Sequence, residues 1–331
     1  MQTPDWRQSL ACAFTDLPSL CDYLELPEHH RPQADAAMAS FRLRVPREFA
    51  ALMRRGDPGD PLLRQVLPLS AEMDELPGFT RNPVGDTEAR IIPGLLHKYR
   101  GRVLIVATGA CAINCRYCFR RHYPYAEGAA SPRQWADILD YLAAHPEIDE
   151  VILSGGDPLM TSDERLAGWL EPLETLSQIR RLRLHTRLPV VVPSRVTPEL
   201  LRLLRRRRFA SVVVLHVNHP NELSPQVVQA LMELKSAGVT LLNQAVLLRG
   251  VNDDLETLAL LSQGLFEAGV MPYYLHLLDR VAGAAHFEVS ESRARSLHRQ
   301  LLARLPGYLV PKMVREIAGE PGKTPLPFLE T

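Results

Sequence analysis

Cys111-Ala-Ile-Asn-Cys115-Arg-Tyr-Cys118 places three cysteines within eight residues, in the spacing C-x3-C-x2-C. The apolar run Val103–Ala107 stands just before it, so the loop leaves a buried strand. Three thiolates at this density form a compact cage of soft ligands, which suits zinc or an iron–sulfur cluster. A structural zinc site takes four protein ligands and usually pairs C-x2-C with a second, distant pair. The remaining cysteines, Cys12 and Cys21, lie far upstream without that pairing. Zinc completed by His122, and three free buried thiols, are the other readings of the same residues. On a 4Fe–4S cluster, three ligands leave one iron open to bind something else.

The rest of the chain bounds what surrounds that loop. Its 331 residues suffice for one large α/β barrel or two ordinary domains, and 46% hydrophobic content supplies a core. A formal net charge of zero gives no sequence-independent grip on nucleic acid. No apolar run reaches membrane-spanning length, and no charged start leads into an apolar signal region, so a cytoplasmic protein without membrane contact is expected. Five cysteines, an odd number, in such a chain argue against disulfides.

From about residue 100, short β-branched or apolar runs alternate with segments of helical periodicity. The runs are Val103–Thr108, Glu150–Ser154, Leu182–Thr186, Ser211–Val217, Val239–Ala245 and Tyr273–Leu278. Between them lie Gln134–Ala144, Arg165–Leu176, Pro198–Arg207, Gln226–Ala237 and Asp254–Glu267. This alternation predicts parallel strands with crossover helices. Six strands make a partial (β/α)6 barrel of TIM type rather than a closed eight-stranded one. Ligands sit at the carboxyl ends of such strands, where the cysteine loop also falls. Residues 1–95, with turn-rich Gly56–Pro61, read as an N-terminal helical accessory region, 96–290 as the barrel, and 291–331 as a C-terminal helix and tail. The Arg205–Arg208 run reads as the charged end of a helix.

Two more stretches carry chemistry. Ser154-Gly155-Gly156-Asp157 follows the second strand; its glycines let the backbone approach a ligand, although alone it is an ordinary turn. Near the C-terminus, Glu316-Ile-Ala-Gly319-Glu-Pro-Gly322-Lys323 sets a lysine among small residues. Read alone, that lysine is a solvated charge.

With an aromatic residue one place before its last cysteine, the loop resembles that of the radical S-adenosylmethionine (SAM) enzymes. The likeness runs through most of the chain to the lysine 2,3-aminomutase family, in the form that acts with elongation factor P. It is carried by Pro61–Leu67, Pro93–Tyr99, Cys111–Tyr125, Ser154–Met160, His216–His219, Leu242–Gln244, Val270–His276, Gly283–Phe287 and Gly307–Lys312. The resemblance implies a 4Fe–4S cluster on Cys111, Cys115 and Cys118, with SAM on the open iron. It implies SAM contacts from Ser154, Gly155, Gly156, Asp157, His216 and Gln244. It also implies pyridoxal phosphate (PLP) held as a Schiff base on Lys323, with its phosphate near Lys98, Tyr99 and Arg102; Lys98 stands where the family has an arginine. Arg120 matches the arginine that pairs with the substrate carboxylate, the right partner for a guanidinium fork. Asp279 and Glu316 match the two carboxylates that hold the lysine side-chain ammonium. Glu316 replaces an aspartate, which lengthens its reach by about 1.5 Å, one carbon–carbon bond.

The implied reaction moves nitrogen from the α to the β carbon of L-lysine, giving (R)-β-lysine for elongation factor P through its lysyl ligase, with a flavodoxin-like electron donor. Another amino acid, or a protein-attached lysyl group, is the alternative substrate. A radical SAM enzyme without PLP and a non-catalytic metal-binding module are the rival classes. The family's free-lysine members carry further zinc-binding cysteines at the C-terminus; this sequence has none there, so no structural zinc is expected.

Overall fold

The computed structural model describes residues 5–326, apart from 129, 131, 206 and 207. Ten strands form one sheet in strictly sequential order. They are β1 (Arg90–Ile92), β2 (Leu95–Tyr99), β3 (Arg102–Thr108), β4 (Glu150–Gly155), β5 (Arg181–Thr186), β6 (Ala210–Leu215), β7 (Thr240–Val246), β8 (Met271–His276), β9 (Lys312–Arg315) and β10 (Thr324–Pro325). From β3 to β9 every neighbouring pair is parallel. Helices cross between them, as parallel pairing requires. Strands β1, β2 and β10 join antiparallel at the two edges, and the order ends there, so the barrel is open.

The six expected strands are β3–β8. The sheet adds a seventh parallel strand, β9, whose sequence Lys-Met-Val-Arg is too short to stand out as an apolar run. It also adds the β1–β2 hairpin, within a stretch read as helix and loop; Gly94, at φ 88°, makes its turn. The crossover helices stand where periodicity put them, including Pro225–Ser236 and Leu255–Glu267. Their N-termini are capped by Ser224 and Asp254, which accept from Val227 and Thr257. The helix from Pro198 ends at Leu204. Of the arginine run that follows, Arg206 and Arg207 lie outside the described residues, while Arg208 donates to the carbonyls of Glu174, Leu176 and Ser177 at the end of a neighbouring helix.

Alternation along each strand sorts the core from the barrel interior. Val151, Leu153, Leu182, Leu184, Leu241, Ala245 and Leu275 join the main apolar core. The interleaved Ile152, Ser154, Arg183, His185, Gln244, Tyr274 and His276 face a cavity instead. No helix among the described residues is long and apolar enough to cross a membrane.

The N-terminal region grips the cysteine loop from behind. The loop donates its Asn114 and Arg116 amides to the carbonyls of Arg44 and Gln65, at 3.0 and 2.9 Å. Arg116, fully buried, donates Nε to Glu72 Oε1 at 2.8 Å and Nη1 to the Phe41 carbonyl at 2.6 Å. Arg121 donates to the other Glu72 oxygen at 2.6 Å. One buried carboxylate thus balances two buried guanidinium groups. Removing one partner of such an arrangement strands the others without water or counter-charge, so Glu72→Ala is expected to cost about 3–5 kcal/mol. Chemical denaturation of the apo-protein checks it; a loss below about 1 kcal/mol, the range of an exposed pair, would contradict the reading.

Candidate active site

The cysteine loop is seated on β4. The carbonyls of Thr108 and Ala110 accept from the amides of Gly156 and Asp157, at 2.7 and 2.8 Å. A Cβ on Gly156 would lie 2.3 Å from the Ala110 oxygen, and one on Gly155 would lie 2.7 Å from the Thr108 oxygen. Gly155 also takes φ 110°. The glycines are needed because two stretches of main chain meet here. Asp157 does not point away from this seat: its carboxylate accepts from Thr186 Oγ1, from the amides of Leu159, Arg187 and Leu188, and so fixes the turn after β5.

Cys111, Cys115 and Cys118 line a cavity of about 310 Å³. Burial, and then the neighbouring thiols, push the Cys111 thiol well up, and the Cys118 thiol up to about 11. Thiols that oppose each other's ionisation in this way suit a strongly cationic ligand that takes all of them as thiolates. Among the described residues, no three His, Cys, Asp or Glu groups converge where a single ion could sit. A lone tetrahedral zinc needs such a point, whereas a cubane receives each thiolate on a different iron. His122, the fourth ligand of the zinc reading, donates Nε2 to the Ala282 carbonyl at 3.0 Å.

The same cavity also holds a chain of alternating charge. Arg120 donates Nε to Asp86 Oδ2 at 2.6 Å and Nη1 to Ser154 Oγ at 3.1 Å. Lys98 Nζ lies 2.5 Å from Asp86 Oδ1 and 3.2 Å from Glu316 Oε1. Tyr99 donates to the same Glu316 oxygen at 3.3 Å, Lys323 pairs with the other, and Arg102 stacks on the Tyr99 ring. Burial alone would raise the Glu316 carboxyl, but Lys323 and Lys98 outweigh it and hold it at about 2. Asp279 lies nearby without such partners. Burial, with the Glu316 charge beside it, pushes its carboxyl up to about 7. Its Oδ1 is buried and has no hydrogen-bond partner among the described residues. Two carboxyls driven apart in this way, one of them unpartnered, are ready for a cation that would ionise both.

Neutral imidazoles line the cavity as well. His185 and His216 lie ring to ring at 5.9 Å, and burial holds His216 down at about 3. His276 Nε2 and His185 Nε2 are buried without partners among the described residues. Every site residue read from the sequence lines this one cavity. Asp86, Arg183, His185, Arg187 and His276 line it too and were not anticipated. Polar residues at every second place of Arg-Leu-Arg-Leu-His-Thr were a legible sign of a polar barrel interior for two of them; Asp86, in a turn, gave none.

Residues 105–261 match the Radical SAM superfamily. Over 323 residues the chain is 51% identical to the L-lysine 2,3-aminomutase of Escherichia coli, covering 97% of this chain and 94% of that one. The chain belongs to the lysine 2,3-aminomutase family. The aminomutase of Haemophilus influenzae is 49% identical over 320 residues, 97% of this chain and 95% of its own. Among solved structures, the Streptococcus suis protein SuiB bound to S-adenosylmethionine aligns at TM-score 0.49 and 15% identity, over 67% of this chain and 51% of its own. The chain is therefore an isomerase of the aminomutase type, and the radical chemistry of its superfamily rests on a 4Fe–4S cluster and SAM.

Two outcomes follow for this aminomutase. Gly156→Ala forces the cysteine loop off β4; a loss of iron uptake on reconstitution is expected, with a stability cost of about 1–3 kcal/mol. Full iron content would refute it. Asp279 keeps its proton to about 7 in the fold against an ordinary 3.8. Between those values the folded chain binds the extra proton, so this group lowers stability as pH rises. The melting temperature of apo Asp279→Asn minus that of the apo wild type should therefore grow between about pH 5 and about pH 7.5. A flat difference would mean that Asp279 is already ionised at the lower pH.

Proposed function

We propose that this enzyme converts L-α-lysine to (R)-β-lysine, using PLP alongside the cluster and SAM. The observation that carries the proposal is the convergence of the three loop thiols, Arg120, Asp279, Glu316 and Lys323 on a single cavity. When bound, the reduced cluster and SAM supply a carbon-centred radical that removes and returns a hydrogen atom, and PLP supplies the imine-forming carbonyl on which nitrogen crosses from α to β carbon.

The chain's own residues do the positioning. Cys111, Cys115 and Cys118 would hold the 4Fe–4S cluster beside the SAM wall. The main chain of Ser154, Gly155 and Gly156, with His216 and Gln244, forms the SAM wall, while Asp157 acts through the turn it fixes. Lys323 would hold PLP, and Lys98, Tyr99 and Arg102 would hold its phosphate. Arg120, already oriented by Asp86 and Ser154, presents its remaining N–H groups to the substrate carboxylate. Asp279 and Glu316 receive the side-chain ammonium, whose arrival drives the proton from Asp279. The buried walls exclude water and other hydrogen donors.

The test is anaerobic reconstitution with iron, sulfide and PLP, then dithionite, SAM and L-lysine, with products resolved by chiral chromatography. β-Lysine from the wild type and none from Lys323→Ala or Cys115→Ala is expected. 5′-Deoxyadenosine without β-lysine would overturn the substrate. Glu316→Gln should raise the KM for lysine about 10- to 100-fold, the loss of one charged hydrogen bond.

We place the reaction in the cytoplasm, with a flavodoxin-like reductant, and its product with the lysyl ligase that modifies elongation factor P. The likeness along the whole chain supports that destination. Mass spectrometry of elongation factor P from cells lacking this enzyme tests it: loss of the β-lysyl mass is expected, and an unchanged mass would end the link.

A further inference from the structure

Arg187, the first residue after β5, has no part in the roles assigned above. Its Nη1 donates to Cys115 Sγ at 2.7 Å and to Tyr117 Oη at 2.9 Å. Its Nη2 donates to Gln65 Oε1 at 2.7 Å and to Glu222 Oε2 at 2.8 Å. Arg187 is 6% exposed and Glu222 is wholly buried. The guanidinium is therefore held in place from the N-terminal region, from the turn after β6 and through the backbone turn fixed by Asp157.

Glu222 does not need Arg187 to be hydrogen-bonded. It also accepts from Gln65 Nε2 at 3.1 Å and from the amides of Asn218 and His219, at 3.0 and 3.1 Å. What it supplies to Arg187 is counter-charge. The Tyr117 hydroxyl also hydrogen-bonds Cys115, but Arg187 is the charged donor, and it is aimed at one sulfur of the three.

We propose that Arg187 is a positioning residue for the cluster: it donates to the Cys115 sulfur and raises the cluster's reduction potential, with Glu222 opposing it. The proposal rests on Cys115 being a cluster ligand. On reduction the cluster takes one electron from an external one-electron donor; no bond to carbon forms and no proton moves to sulfur. The cluster's charge falls by one, which a nearby cation favours and a nearby carboxylate disfavours. A donor to a ligating sulfur acts in the same sense, because it draws electron density from the iron.

The test is a potentiometric titration of the reconstituted enzyme without SAM, reduced stepwise with titanium(III) citrate and read by electron paramagnetic resonance. Arg187→Gln should move the midpoint negative of wild type, and Glu222→Gln should move it positive. Arg187→Lys, which keeps the charge, should lie between wild type and Arg187→Gln. A purely structural role would not give opposite signs. An unchanged midpoint in Arg187→Gln, or shifts of both neutral variants in the same direction, would overturn the proposal. If Arg187→Gln does not hold a cluster, Glu222→Gln decides: a positive shift supports the proposal, and any other result overturns it. Iron content in Cys115→Ala separates the two levels, since a full four-iron cluster there would remove Cys115 as a ligand whatever Arg187 does.

Discussion

Two strands of main chain lie so close at Thr108–Ala110 and Gly155–Asp157 that only glycine fits on one side. This contact ties the cysteine loop to the strand beside it, and most of the site follows from that tie. With the loop seated, its three thiols face the cavity. Asp157, at the end of the same contact, then fixes the turn that carries Arg187. Sheet geometry does the rest, because parallel strands in sequential order deliver their carboxyl ends to one rim.

Two kinds of electrostatic arrangement share the cavity. Around the three cysteines, buried thiols oppose each other's ionisation until a cation is present. Elsewhere on its wall, Arg120, Asp86, Lys98, Glu316 and Lys323 are already linked by ion pairs of alternating charge. Asp279 is the exception, a buried carboxyl left with an unpartnered oxygen. Charged ligands entering there exchange partners with groups that are already charged and oriented, which keeps the reorganisation small. The imidazoles stay neutral, so they add polarity without adding charge.

How legible this was in the sequence differed by kind of information. The six strands β3–β8 showed themselves because each is a run of apolar or β-branched residues set between helical periods. Strand β9 did not, since four residues carry no period, and its place in the sheet is fixed by pairing with β8. The cysteine loop was visible as a pattern of spacing, whereas the glycine pair and Lys323, an ordinary turn and a solvated charge when read alone, stood out only through the family resemblance. Asp86 was invisible, because a lone aspartate in a turn looks like any other; only the fold sets it between Arg120 and Lys98. The glycine pair was read as making room for a ligand, whereas its first physical duty is to make room for the loop. The hold of the N-terminal region on the loop was equally hidden, since contacts such as Glu72 with Arg116 depend on tertiary structure alone.

That hold has a consequence for how the protein is made. Ala37, Phe41, Gln65 and Glu72 leave the ribosome before the three cysteines, whereas the Gly155–Gly156 seat leaves after them. Chain order thus makes one side of the loop's support available before the other. Arrival of the fourth strand supplies the second support, and because the three cysteines stay partly exposed in the finished fold, the site remains open to metal after the chain has folded.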